Sequence, residues 1–285
     1  MADVTREETG TGHNGLRGKR VLVLEARLAS VLADLVTRRG GQAVCVPAVV
    51  EVEAPASEVA APLRLLCEHQ ADLAVLQTGV GTERLRHQTV ALGLEDAYVE
   101  VLRTIPVAVR GPKPTAVLAR WGIRPALAAR SPYTTQELCA VLAGPPLAGK
   151  TAFVQHYGDL NERLREFLVE RGARTVDALP YRWALPEDVG PLRTAVGELE
   201  AGTLDALLIT SQPQVRHLFE VAEDQGRAGA LRQALNTHVT VAAVGPVARR
   251  ALEALGVRVP VEPSQPKMVP LVDALAAHFA RTGVP

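Results

Sequence analysis

The segments LRGKRVLVLEAR at 16–27 and LAGKTAFVQHYG at 147–158 are two versions of one pattern, with Lys19 opposite Lys150. The likeness continues along the chain, because ADLAVLQTGVGTERL at 71–85 matches LDALLITSQPQVRHL at 204–218, and the later segments that begin VAVRGP and VAAVGP also match. The offset between equivalent residues increases only from 131 at Lys19 to 134 at Gly111. So small a drift indicates two copies of one fold, each of roughly 130 residues.

Short β-branched runs alternate with helical patterns such as ASVLADLVTRR and NERLREFLVER, which is typical of β-α-β units in a parallel sheet. We therefore predict an α/β protein with two similar flavodoxin-like lobes, each a doubly wound parallel sheet, and a cleft between them. The predicted strands are VLVLEA (21–26), AVCVPAVV (43–50), LAVLQ (73–77), IPVAVR (105–110), FVQHY (153–157), LLIT (207–210) and VTVAAV (239–244).

The composition excludes several classes of protein. The 285 residues are 47% hydrophobic, which is enough for a sizeable core, and 31 Lys+Arg balance 31 Asp+Glu, so no global charge favours nucleic acid. No apolar run reaches the roughly 20 residues of a membrane span, and the start lacks a signal peptide's apolar region, so we expect a cytoplasmic protein. The polar residues 1–17 are expected to be a disordered tail. The three cysteines are expected to be small buried hydrophobic residues.

Several motifs match known site patterns in letters but not in context. GPPLAGKT at 144–151 fits the phosphate-loop pattern, yet it follows a predicted helix and opens a strand, the reverse of what that loop requires. GTGHNG at 10–15 precedes the first strand, so a dinucleotide site is also excluded there. GVGTER at 79–84 does open a helix, and we interpret it as a helix start suited to an anion. The histidines form no HExxH or i,i+4 pair, so we predict no metal site and satisfied or surface histidines.

Small, hydroxyl-bearing and cationic residues follow the predicted strands. Open α/β sheets bind ligands at the carboxyl ends of their strands, so these turns predict an anionic ligand, such as a carboxylate or phosphate, held largely by main-chain N–H groups. The alternative is that many of these residues are ordinary helix N-caps. Asp159 with Glu162, and Thr134 with Glu137, have the spacing of capping boxes, and we interpret both as structural.

Tyr181 breaks the repeat, because its counterpart in the first copy is Ala48. A phenol with an ordinary pKa near 10 is protonated at neutral pH and could donate a proton to a leaving oxygen. The alternative is that Tyr181 only packs beside Trp183 where the chain passes between lobes. The sequence leaves both readings open.

A set of motifs resembles the uroporphyrinogen-III synthase family, in particular a bacterial branch of it. The resemblance covers about residue 18 to the C-terminus and is carried by the paired GP turns with a glycine eleven residues later, by the joint LPYRW, and by the order of the repeated segments. The motifs are Gly111 with Gly122, Gly245 with Gly256, LLITSQPQVRHLFE, and ALNTHVTVAAVGPVARRALEALGV.

The resemblance implies a monomeric lyase without a cofactor that acts on hydroxymethylbilane, a linear tetrapyrrole with eight carboxylates. The family inverts ring D and closes the macrocycle with loss of water in heme, siroheme and cobalamin synthesis. It also implies that the first β-α unit completes the lobe built by the C-terminal part. The implied lobes are 18–46 with 187–285, and 54–178, joined by linkers 47–53 and 179–186 that cross together as a small ladder.

By position, the resemblance makes Tyr181 the candidate for assisting hydroxide loss. Pro114 and Ala248 stand where the family often has threonine, so Thr115 is a doubtful ligand and Lys113 or Arg249 could replace hydroxyl contacts by charge. Gly79 stands where serine is frequent. The candidate binding residues are Arg27, Thr78, Gly79, Arg110, Gly111, Lys113, Thr115, Tyr157, Gly158, Ser211, Gln212, Gly245, Pro246, Arg249 and Ser264.

Two other functions remain as alternatives. A protein of the same fold could have lost catalysis and serve as a sensor that binds a tetrapyrrole or another polyanion. A periplasmic-type binding protein is disfavoured by the missing signal peptide. We expect a small-molecule partner and neither nucleic acid nor membrane.

Overall fold

The computed structural model describes residues 14–283 and divides the chain into two compact units. Of these residues, unit 1 contains 14–50 and 184–283, and unit 2 contains Glu51–Trp183. The strands are β1 (Arg20–Val23), β2 (Gln42–Cys45), β3 (Val50–Glu53), β4 (Leu73–Leu76), β5 (Val107–Val109), β6 (Leu127–Ala128), β7 (Thr151–Gln155), β8 (Arg174–Ala178), β9 (Tyr181–Ala184), β10 (Ala206–Ile209) and β11 (Thr240–Ala243). The helices are α1 (Ala29–Arg38), α2 (Ala56–Cys67), α3 (Gly79–Leu92), α4 (Glu95–Thr104), α5 (Pro112–Arg120), α6 (Thr135–Leu142), α7 (Glu162–Glu170), α8 (Gly190–Glu200), α9 (Gln212–Asp224), α10 (Ala228–Thr237), α11 (Pro246–Ala254) and α12 (Met268–Thr282).

Each unit is built on a parallel sheet, which confirms the predicted α/β class. The sheet of unit 2 has the order β6-β5-β4-β7-β8, and that of unit 1 has the order β11-β10-β1-β2. Every pair of neighbouring strands in these two sheets is parallel. The strands β3 and β9 form a separate two-stranded sheet.

Helices cover both faces of each sheet, so the strands are apolar on both sides. Along β1, Leu22 belongs to one buried cluster of unit 1 and its neighbours Val21 and Val23 belong to another. Along β7, Phe153 and Val154 likewise belong to different clusters of unit 2. A doubly covered sheet explains why the strand runs are continuously apolar and show no alternation. Among residues 14–283, no helix is long and apolar enough to cross a membrane.

The two lysines that the repeat aligns pair with aspartates of the opposite copy. Lys19 Nζ lies 3.2 Å from Asp205 in unit 1, and Lys150 Nζ lies 2.8 Å from Asp72 in unit 2. The second carboxylate oxygen accepts the N–H of the following strand residue, Arg20 or Thr151, at 2.8 Å in both cases. The phosphate-loop match at 144–151 is thus a turn whose lysine fixes the start of β7. The first strand of each copy lies beside strands of the other copy, since β1 pairs β10 and β7 pairs β4.

Some local expectations differ from the structure. Residues 1–13 of the expected tail lie outside the described part of the chain, whereas Leu16 is fully buried and its N–H donates to Arg39 O. The expectation that all three cysteines are buried is wrong, because Cys45 is exposed and Cys139 is only half-buried. The run at 43–50 is interrupted at Pro47, which separates β2 from β3. The list of predicted strands also omitted β6, β8 and β9.

Candidate functional site

The candidate binding residues follow strands, and parallel pairing therefore puts those of one unit at one edge of its sheet. The carboxyl edge of the unit 2 sheet carries Thr78, Gly79, Arg110, Gly111, Lys113, Thr115, Tyr157 and Gly158 on the segments after β4, β5 and β7. The corresponding edge of unit 1 carries Arg27, Ser211, Gln212, Gly245, Pro246, Arg249 and Ser264 on the segments after β1, β10 and β11.

Tyr181 is the first residue of β9 and lies over the start of α3 in unit 2. Its side chain is buried, with the residue 3% exposed, and its hydroxyl lies 3.5 Å from Thr78 Oγ1. Burial raises the pKa of Tyr181, and Glu51 adds to that effect, while the Thr78 hydroxyl and the cations of Arg110 and Arg84 act in the opposite direction. The phenol is therefore protonated at neutral pH and can donate a proton.

Thr78 is held in place by a glutamine that the sequence analysis missed. The amide oxygen of Gln155, which is fully buried, accepts the N–H groups of Gln77 at 3.0 Å and Thr78 at 3.1 Å. In unit 1, Gln214 Oε1 accepts the equivalent N–H groups of Thr210 and Ser211 at 2.8 and 3.2 Å. Main-chain N–H groups at these turns were predicted to bind an anion, but these four already donate hydrogen bonds to the amide oxygens of glutamine side chains.

Other donors remain open at the start of α3. Thr78 is the N-cap of this helix, and its hydroxyl accepts the N–H of Gly81 at 3.0 Å. Within residues 14–283, the N–H groups of Gly79 and Val80 make no hydrogen bond. They lie at the positive end of the helix dipole, next to Thr78, where a negatively charged group is stabilised.

Arg110 supplies an unpaired positive charge at the same edge. Its guanidinium carbon lies 4.0 Å from the centre of the Tyr157 ring, and that ring packs edge-on against Trp183 at 5.6 Å. In the described part of the chain, no carboxylate lies within ion-pair distance of Arg110. Gly158 allows the approach of Trp183, because a Cβ atom there would lie 2.1 Å from the indole. Stacking orients the guanidinium without neutralising it, so its charge remains available to an anion.

Arg249, the cation proposed at the equivalent turn of unit 1, is placed differently. It donates to Glu253 at 2.7 Å and to Glu262 at 3.1 Å, and the hydrogen bond to Glu253 makes the largest contribution to raising its pKa. Two carboxylates thus compensate its charge. The edge of unit 1 also carries Glu25, which accepts the Thr210 hydroxyl at 2.7 Å. Of the two arginines at these equivalent turns, Arg110 is therefore the one without a carboxylate partner among the described residues.

Four further candidate binding residues show no sign of a built binding site in the described part of the chain. The Thr115 hydroxyl donates to Gly111 O at 2.9 Å, a bond within its own helix, while Lys113, Arg27 and Ser264 are exposed. The capping box of Thr134 with Glu137 is confirmed, since Thr134 N donates to Glu137 Oε2 at 3.0 Å. The predicted box of Asp159 with Glu162 is wrong, because the N-cap of α7 is Asn161.

His156 is a buried histidine with both ring nitrogens engaged. Its Nε2 lies 2.6 Å from Asp177, and its Nδ1 accepts the N–H of Asn161 at 3.0 Å. Burial opposes ionisation of Asp177, but the hydrogen bond from His156 and the charge and hydrogen bond of Arg165 prevail and hold its pKa below the usual value. This network anchors the loop that carries Tyr157 and Gly158. Among residues 14–283, no three His, Cys, Asp or Glu side chains are grouped so as to hold a metal ion.

The fold and these edges define an α/β protein with parallel sheets, and the chain belongs to the uroporphyrinogen-III synthase family. The family model "Uroporphyrinogen-III synthase HemD" matches residues 30–273. A crystal structure of a mutant uroporphyrinogen III synthase from the extremely thermophilic bacterium Thermus thermophilus is 29% identical, covers 94% of this chain and 100% of that one, and superposes with a TM-score of 0.74.

Two further comparisons extend the likeness. The Bacillus subtilis (strain 168) protein described as "Uncharacterized protein YjjA" is 31% identical over 93% of this chain and 97% of its own length. The uroporphyrinogen-III synthetase of Helicobacter pylori 26695 is 14% identical, with a TM-score of 0.51 over 94% of this chain and 100% of that one, and shows a common fold.

Proposed function

We propose that this protein is a uroporphyrinogen-III synthase that cyclises hydroxymethylbilane, with Tyr181 as the proton donor and no cofactor. The observation that carries the proposal is the buried Tyr181 phenol, 3.5 Å from Thr78 Oγ1, on the unit that also presents the unpaired Arg110. A protonated donor, open N–H groups and a free cation suit a substrate that carries many carboxylates and a hydroxyl leaving group.

The proposed reaction begins with transfer of the Tyr181 proton to the terminal hydroxyl of the bilane. The C–O bond breaks with both electrons on oxygen, and water leaves. The pyrrole becomes an azafulvenium cation, whose positive charge balances the negative charge now on Tyr181. Ring D then attacks through its substituted carbon to give a spiro-pyrrolenine, which reopens and recloses with ring D inverted. The pyrrole carbon finally loses a proton, which restores the phenol, so the net change is loss of one water. Folding the bilane into the required posture is the protein's main contribution.

Arg110, Thr78, Gly79 and Gly111 are proposed to bind substrate carboxylates at the edge of unit 2. Ser211, Gln212, Gly245 and Pro246 are proposed to do so at the edge of unit 1, with Arg27 and Ser264 beside them. We also propose that both units are flavodoxin-like. Counted along the chain, the unit 1 strands have the order 2-1-3-4, in agreement with that fold. The unit 2 strands have the order 3-2-1-4-5 along the chain, which becomes 2-1-3-4-5 when β7 and β8, the first strands of the second copy, are counted first. The enzyme is proposed to be a cytoplasmic monomer.

The isomer produced from hydroxymethylbilane tests the proposal. The purified protein should give the type III macrocycle, whereas a protein without this activity leaves only the type I isomer that forms spontaneously. Y181F should lower kcat at least tenfold, about 1.4 kcal/mol of activation barrier. Y133F is the matched control, since Tyr133 is an exposed tyrosine of the same unit. Unchanged kinetics of Y181F would assign Tyr181 to packing alone.

One observation favours the alternative of a sensor that has lost catalysis. Pro114 and Ala248, which replace the threonines frequent in the family, are both buried and offer no hydroxyl. Tight binding of the bilane without formation of the type III isomer would support the sensor, and formation of that isomer would exclude it.

A further inference from the structure

Arg84 lies against the face of Tyr181 and contacts it without touching its hydroxyl. The guanidinium carbon is 4.9 Å from the centre of the Tyr181 ring, and the residue belongs to α3, the helix that Thr78 caps. A cation over an aromatic ring is attracted by the negative face of the ring. The contact therefore fixes the orientation of a ring whose hydroxyl must meet Thr78.

Arg84 also forms an ion pair with Glu51. The Arg84 Nη2 atom lies 3.1 Å from Glu51 Oε2, and Glu51 belongs to β3, the strand that pairs with the strand of Tyr181. Arg84 thus joins α3 to both strands of the small sheet, through Glu51 of β3 and Tyr181 of β9. Its side chain is 23% exposed, so the interaction with Tyr181 is only partly screened by water.

The other terminal nitrogen of Arg84 has no conventional partner. Within the described residues, Nη1 is buried and makes no hydrogen bond. A buried unpaired donor on a charged group is costly, so its presence calls for an explanation. The electron-rich face of Tyr181 can take the place of the missing acceptor, and it becomes a better one when the phenol carries negative charge.

We propose that Arg84 is a positioning residue that holds the Tyr181 ring against Thr78 and stabilises the negative charge left on the Tyr181 oxygen after proton donation. The role of the negative charge rests on the proposed function, whereas the contact between Arg84 and Tyr181 does not. The charged groups that act on Tyr181 are Glu51, Arg84 and Arg110.

The test replaces Tyr181 by 3,5-difluorotyrosine, which ionises at lower pH than tyrosine and whose fluorine resonances report its own titration. R84M should raise the titration midpoint by about one pH unit, because it removes a cation close to the ring while keeping an apolar side chain. E51Q should lower the midpoint, because it removes the nearby negative charge. In the unlabelled enzyme, R84M should lower kcat about tenfold with little change in KM, and R84K should restore part of it.

R86M is the matched control, because Arg86 also lies on α3, pairs with Glu95 and stacks over Trp121 at 5.3 Å. It should leave the Tyr181 midpoint unchanged. An R84M midpoint equal to that of the parent would overturn the role of Arg84, whatever its activity. A shifted midpoint in a protein that makes no type III isomer would support the coupling of the two residues and reject the proposed reaction, so the two failures are distinguishable.

Discussion

The side chain of Gln155 fills the space that a side chain at position 81 would need, since a Cβ atom on Gly81 would lie 2.1 Å from Gln155 Nε2. In the repeat, Gln214 stands opposite Gly81 and Leu24 stands opposite Gln155. Both units therefore satisfy the same two N–H groups with a glutamine, but unit 2 supplies it from a strand and unit 1 from a helix.

This exchange predicts that two damaging substitutions compensate each other. Q155L leaves the N–H groups of Gln77 and Thr78 without their acceptor and should cost about 2 to 3 kcal/mol of unfolding free energy. G81Q alone overpacks the same space and should also destabilise. The double variant reproduces the arrangement of unit 1 and should recover at least half of the summed loss in urea denaturation. Strict additivity of the two losses would contradict the exchange.

Arg110 should matter for substrate binding far more than Arg249. R110A removes a cation that has no carboxylate partner and should raise KM roughly tenfold, since a hydrogen bond to a charged group contributes about 1.5 kcal/mol or more. R249A removes a cation already paired with Glu253 and Glu262 and should change KM less than about twofold. Steady-state kinetics with hydroxymethylbilane measure both. Equal increases in KM for R110A and R249A would show that an ion pair with a carboxylate does not decide which arginine binds the substrate.

Gly158 should not tolerate a side chain, whereas Gly149, which has a similar backbone conformation, should tolerate one. Gly158 and Gly149 have φ values of 75° and 74°, but only Gly158 lies against Trp183, while nothing lies within 4 Å of a Cβ atom at Gly149. G149A should cost about 1 kcal/mol of backbone strain. G158A should cost at least about 2 kcal/mol more and alter the tryptophan fluorescence. Equal unfolding free energies for the two variants would argue against a close fit at Trp183.

Asp177 should stabilise the fold only above acidic pH. Its pKa is depressed in the folded protein, so its contribution is fully present above its ordinary pKa of about 3.9 and is lost as the pH falls through the lower folded value. D177N should therefore lower the unfolding free energy by about 1 to 2 kcal/mol at pH 7 and by less at pH 3, because the contribution of the carboxylate diminishes below its ordinary pKa. The measurement is urea denaturation at both pH values. A loss of the same size at pH 3 would assign the effect to packing.

The sequence predicts those features that depend on local pattern and on the repeat. The apolar runs place most strands, and the strand ends place the candidate residues at the carboxyl edges, because parallel pairing requires it. Residue pattern did not predict the ladder of β3 and β9, since its residues are mixed in polarity and their pairing joins segments far apart in the chain. That ladder was implied only by the family resemblance, at the linkers 47–53 and 179–186.

The expected use of main-chain donors was less accurate for a physical reason. A glutamine can reach back from a strand or a helix to accept two N–H groups, and nothing in local periodicity shows which donors remain free. The break at Gln155, where the first copy has Leu24, was the signal that could have identified this residue, as the break at Tyr181 identified the tyrosine. The pairing of Arg249 with two glutamates and the freedom of Arg110 likewise depend on contacts that only the folded chain defines.

The pairing of β1 with a strand far along the chain restricts the order in which unit 1 can fold during synthesis. Arg20 at the start of β1 is joined to Asp205, 185 residues later, so the amino-terminal strand leaves the ribosome long before its second neighbour exists. Unit 2 is continuous in the chain and can fold first. Until β10 is synthesised, β1 and β2 have an unpaired strand edge. We expect a chain truncated before residue 205 to be prone to aggregation, because this edge would then have no neighbouring strand.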